Sequence, residues 1–84
     1  MRCTVVWIDK ALDDLAKIWT QAASSRNAVR DAANEIDRLL RYQAASVGWI
    51  DGDYRRLRVD PLDVAYVVSL GDCLVTVYEV SFVP

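Results

Sequence analysis

The chain has no histidine, and its 84 residues include only three glycines, two prolines, two cysteines, one methionine and one phenylalanine. Without histidine it lacks the commonest general base and the commonest metal ligand. Cys3 and Cys73 stand far apart, outside any paired zinc-type spacing. There is no Gly-rich phosphate loop and no Ser-based triad, so no metal or cofactor is expected. Scarce Gly and Pro leave no linker or repeat, and residues 1–84 are expected to form one domain. No apolar run approaches the roughly 20 residues needed to span a bilayer. Met1-Arg2-Cys3 leads straight into an apolar strand without a leader pattern, so the expected location is cytoplasmic. In a reducing compartment the two cysteines are expected as free, buried thiols. A disulfide would need the first and last strands to be neighbours.

What is present is apolar. Hydrophobic residues make up 54% of the chain and the mean hydropathy is +0.10, high for so small a protein. A chain of this size buries roughly 60–65% of its unfolded surface. Surplus apolar surface marks a partner site, so a bound partner protein or a homodimer is expected. The net charge of −2 and pI near 4.8 argue against a broadly basic nucleic-acid surface. Locally, however, Arg55, Arg56 and Arg58 cluster.

Periodicity supplies the elements. Cys3 to Ile8 is a continuous apolar run with β-branched residues, predicting a strand buried on both sides. Asp9 is a suitable N-cap for a helix over about 10–23, with Ala11, Leu12, Leu15, Ile18, Trp19 and Ala22 on one face. Asp13 and Lys17 are spaced for an i,i+4 pair on the other. A second helix over about 28–42 buries Val29, Ala32, Ala33, Ile36, Leu39 and Leu40, and the alanines of both helices allow close antiparallel approach. Residues 43–53 read as a loop carrying Trp49. Three strands follow, at about 54–59, 64–70 and 73–82, with turns at Asp60-Pro61-Leu62-Asp63 and Gly71-Asp72. If each element reverses direction, the first strand lies antiparallel to the second and fourth. The expected class is α+β, a β-α-α-β-β-β chain with a helical hairpin packed on one face of an antiparallel sheet. Trp7, Leu15, Trp19, Ile36, Leu40, Leu57, Val59 and Val68 are expected inside.

This layout resembles the RelE/ParE superfamily of toxins from type II toxin–antitoxin pairs. The supporting positions include Trp7, Leu15, Ile18, Trp19, Ile36, Leu40, Gly48, Val75-Thr76-Val77 and, above all, Tyr54-Arg55-Arg56-Leu57-Arg58-Val59 followed by Val64 and Tyr66. The resemblance implies a toxin neutralised by a cognate antitoxin. Its target would be DNA gyrase in one branch and ribosome-bound mRNA in the other. It implies target contacts at Arg55, Arg56, Arg58 and Tyr66. Trp49, Val75, Val77 and Phe82 are the expected partner contacts, in an apolar groove or at a sheet edge.

Two departures weigh against the nuclease branch. Asp63 opens the third predicted strand, where the family commonly places an arginine, and no basic or aromatic tail follows Phe82-Val83-Pro84. The catalytic set is therefore incomplete, and the gyrase-directed or otherwise non-nucleolytic branch is the better expectation. The alternatives are an mRNA endoribonuclease or a non-toxic binding domain of the same fold. Tyr78 and Glu79 are adjacent, and strand alternation would send them to opposite faces, barring joint action on one atom.

Overall fold

The computed structural model describes residues 2–83. Strand β1 (Thr4–Trp7) leads to helix α1 (Asp9–Gln21), a single 3₁₀ turn (Ala23–Ser25) and helix α2 (Arg26–Gln43). Four strands follow: β2 (Trp49–Asp51), β3 (Tyr54–Val59), β4 (Leu62–Ser69) and β5 (Leu74–Phe82). They form one five-stranded sheet in the order β1-β5-β4-β3-β2. The helices pack on one face of it, an α+β arrangement.

One joint of the sheet departs from the antiparallel expectation: β1 runs parallel to β5, with Thr4 opposite Leu74 and Trp7 opposite Val77. The cause is β2. Three residues are too short to show a period-2 pattern, yet Trp49–Asp51 pairs antiparallel with β3 and adds one reversal of direction. That extra reversal inverts the relation between the first and last strands. Gly48 makes the entry into β2 possible. Its φ is +69°, and a Cβ there would lie 1.9 Å from the Arg56 carbonyl oxygen, so no larger residue fits.

Parallel pairing makes the first and last strands neighbours, and Cys3 and Cys73 form a disulfide. The expectation of free thiols is thereby corrected. Cys73 takes φ 48°, the left-handed region, in a four-residue turn longer than the predicted Gly71-Asp72 hairpin. As an edge strand β1 alternates between exposed Thr4 and Val6 and half-buried Val5 and Trp7, so it is not buried on both sides. Beyond Trp7, no strand among the described residues pairs with β5 on that side. α1 takes over there, and the Asp14 carboxylate accepts the Val80 N–H at 3.2 Å.

The core lies between the helices and the sheet. Ala11 and Ile18 from α1, Val29, Ala32, Ile36 and Leu40 from α2, and Leu57, Leu62, Val64, Tyr66, Val75, Val77 and Val80 from the strands are all buried. Leu15, Val59 and Val68 pack partly buried against them, as does Trp7, whose indole N–H donates to Asp37. Trp19 is a correction, because it is 40% exposed. The α1 stripe that faces the sheet is centred on Ala11, Ile18 and Ala22, and Trp19 falls at its margin under the Arg26 guanidinium, 5.5 Å from the ring centroid. The first helix starts at Asp9 itself, with Ile8 as its uncapped N-cap, and its i,i+4 ion pair is Lys10–Asp14.

Candidate functional site

Register assigns the arginines to faces, since residues paired across strands share a face. On β3, Tyr54, Arg56 and Arg58 point away from the helices, whereas Leu57 points toward them. Across the strands the open face carries rows. Trp49 lies opposite Arg56, Arg56 opposite Ala65 and Ala65 opposite Glu79. The neighbouring row is Arg58, Asp63 and Ser81.

Arg55 falls on the other face, with no part in a solvated arginine surface. Its Nη2 donates to the Val47 carbonyl at 2.8 Å and its Nε to the Tyr66 hydroxyl at 3.4 Å. Tyr66 is fully buried, and its hydroxyl hydrogen is shared between the carbonyls of Ala44 and Val47 at 2.9 and 3.0 Å. Together these two side chains satisfy carbonyls at and just beyond the C-terminal end of α2, which the helix itself leaves free. They thereby fix the segment that delivers Gly48 and Trp49. They position the loop; the Tyr66 side chain is fully buried, whereas Arg55 stays partly exposed. Val75 and Val77 are likewise fully buried, so neither is a free partner contact, whereas Phe82 packs against the core only partly buried. Interior-facing positions of a central strand have no other choice. Of the expected site residues, Arg56, Arg58 and Trp49 remain together on the open face.

Both arginines there are already paired. Arg56 donates through Nε to Asp51 at 2.8 Å and through Nη1 to Asp63 at 3.0 Å. The hydrogen bond to Asp51, then that to Asp63, holds its guanidinium above the ordinary value. Arg58 pairs with Asp60 at 2.8 Å. Asp63 thus supplies a carboxylate that locks Arg56 in place.

Sequence reasoning missed a second feature beside this row. On β4, Ala65 and Tyr66 are adjacent, but their partners on β5 are Glu79 and Val77. Tyr78 is therefore an extra residue, a β-bulge, and the alternation that should separate Tyr78 from Glu79 is broken. Both line one cavity of ≈ 280 Å³ with Ile8, Lys10, Tyr54, Arg56 and Ala65. The Tyr54 and Tyr78 rings meet edge-to-face with centroids 5.6 Å apart. Lys10 at the start of α1 bonds Asp14 at 2.9 Å and lies 3.9 Å from Glu79. That bond raises Lys10, while Asp14 is held low, first by Lys10 and then, against burial, by the Val80 N–H. The one trace of the bulge in the sequence is the spacing of the interior valines of β5: Val75 and Val77 are two apart, whereas Val77 and Val80 are three apart.

No family model matches the sequence, and no curated protein matches it. Solved structures do match. The chain is similar to one in the chromosomal ParDE TA system from P. aeruginosa, with TM-score 0.77 and 18% identity over 99% of this chain and 98% of that one. It is similar to one in the toxin–antitoxin complex RelBE2 from Mycobacterium tuberculosis, with TM-score 0.71 and 16% identity over 98% and 92%. It also matches the isolated E. coli RelE toxin, with TM-score 0.67 and 13% identity over 98% and 85%. The chain therefore has the fold of the RelE/ParE toxins.

Proposed function

We propose that this chain is a toxin-like component of a bacterial toxin–antitoxin pair, one RelE/ParE-type unit spanning residues 1–84, held inactive by a cognate antitoxin. Its action is ParE-like, directed at DNA gyrase or another protein target, and not cleavage of ribosome-bound mRNA. The observation that carries this reading is the pairing of Arg56 with Asp51 and Asp63 on the open face. Cleavage of RNA requires preorganised positive charge around a phosphate that gains negative charge. Here an approaching phosphate meets two carboxylates at the arginine that should receive it. At about 4 Å each would repel it by roughly 1 kcal/mol in bulk water and about 4 kcal/mol at an effective dielectric of 20. With no histidine in the chain, no strong neutral-pH base offsets that penalty.

A protein target suits the face better. Trp49 and Tyr54 are 45% and 42% exposed and Tyr78 is 36% exposed, on the face that carries Arg56 and Arg58. Aromatics and arginine are the residues enriched in protein interfaces. Inducible expression in a bacterial host, with and without the adjacent gene, tests the reading. Growth arrest relieved by the adjacent gene supports it, and unimpaired growth at confirmed expression overturns it. Gyrase supercoiling and ribosome-dependent cleavage assays on the purified chain then separate the two branches.

A further inference from the structure

The cavity beside the bulge has a defined floor and walls. Ala65 is the floor, 4% exposed although it lies on the open face, because Arg56 and Glu79 flank it on the neighbouring strands. Tyr54, Tyr78 and Lys10 line it around that floor. Each cation that lines it is already satisfied: Lys10 by Asp14 and Arg56 by both Asp51 and Asp63. Glu79 differs. Its carboxylate is 48% exposed, accepts no hydrogen bond among the described residues, and has Lys10 only at 3.9 Å. Two cations against four carboxylates leave the local field negative, and the one carboxylate without a donor lines the cavity. The Tyr rings add faces and edges that favour a cation near them.

We propose that this cavity receives an arginine or lysine side chain presented by a protein partner, with Glu79 as its acceptor and Tyr54 and Tyr78 as its walls. The guest's aliphatic stem lies along the tyrosine rings while its charged head reaches Glu79, the way long basic side chains commonly bury their methylenes. The bulge is what makes the site, since regular alternation would leave only one of Tyr78 and Glu79 on the open face. An anionic guest such as a phosphate would be turned away by the same charge balance. The inference deepens the toxin reading by naming the chemistry of the protein bound at this face, and rests on that reading only for the partner being a protein.

The test uses the intact chain and short blocked peptides that differ only in a central arginine, norleucine or glutamate, with a short single-stranded RNA as a further probe. Backbone amide NMR reads the shifts at Ala65, Tyr78 and Glu79. The arginine peptide should perturb these amides saturably and more weakly as salt rises, and the other probes should leave them unmoved. Glu79→Gln should weaken the arginine peptide roughly fivefold, with an unchanged melting temperature showing that the fold persists. Tyr78→Leu should weaken it independently, by loss of the ring. The proposal fails if the arginine peptide leaves these amides unmoved, if it binds Glu79→Gln as well as wild type, or if the glutamate peptide or the RNA binds there equally well. Because growth arrest plays no part in this readout, failure here and absence of toxicity in cells are separate outcomes.

Discussion

The two faces of the sheet are built from different materials. The covered face is aliphatic, with Val64, Val75 and Val77 fully buried under Ile36 and Leu40, and the buried Tyr66 hydroxyl within it is fully hydrogen-bonded. The open face carries Trp49, Tyr54 and Tyr78 among arginines and aspartates in pairs. Burial fixes the first, because each methylene removed leaves a cavity. Little about stability constrains the second, where exposed ion pairs contribute only about 0–1 kcal/mol. Fold and the proposed activity are thus written on opposite sides of the same strands. A carboxylate such as Asp63 can occupy a position expected to be basic without altering the architecture.

That contrast can be broken in graded steps. The largest effect is expected at the sheet margin: opening the Cys3–Cys73 bridge frees a loop of sequence separation 70, worth about 4 kcal/mol in the chain-entropy account. A Cys3→Ser, Cys73→Ser double variant should therefore melt well below wild type, and wild type in excess reductant should match it. Leu40→Ala, under the covered face, should cost about 3 kcal/mol in chemical denaturation. Tyr66→Phe should cost about 1 kcal/mol by leaving the Ala44 and Val47 carbonyls one donor short.

Smaller still is a pH effect at the seam between α1 and β5. The Lys10 hydrogen bond, then that from the Val80 N–H, lowers Asp14 from its ordinary 3.8. A carboxylate lowered by folding stabilises the native state above its unfolded value, and that contribution disappears as pH falls through the folded one. Thermal melts should show this loss below about pH 4, and Asp14→Asn should flatten that part of the acid limb. An acid limb identical in wild type and variant would remove Asp14 from the account.

Much of this is legible in the sequence, and the gaps have specific causes. The helices announce themselves through apolar spacing, and the three long strands through β-branched runs and turn residues. β2 is hidden because three residues carry no periodicity, and missing it reverses the inferred direction of β1. The disulfide depends on that direction and is missed with it. Arg56 and Arg58 are found as open-face residues because strand alternation is local information. Their pairing with Asp51, Asp60 and Asp63 can be weighed from proximity in sequence, but only the turns place the carboxylates. The Tyr78–Glu79 site is lost to the alternation rule itself, which a one-residue bulge suspends.

Ribosome-dependent mRNA cleavage by the purified chain, wild type beside Asp63→Arg, tests the central claim most directly. Charge pairing on the open face predicts no cleavage above background by wild type. Any activity that emerges should do so only in Asp63→Arg, where Arg56 loses a carboxylate and the face gains a cation. Robust cleavage by wild type, abolished by Arg56→Ala without a drop in melting temperature, would contradict the account: the paired arginine would then be serving phosphate chemistry despite its carboxylates.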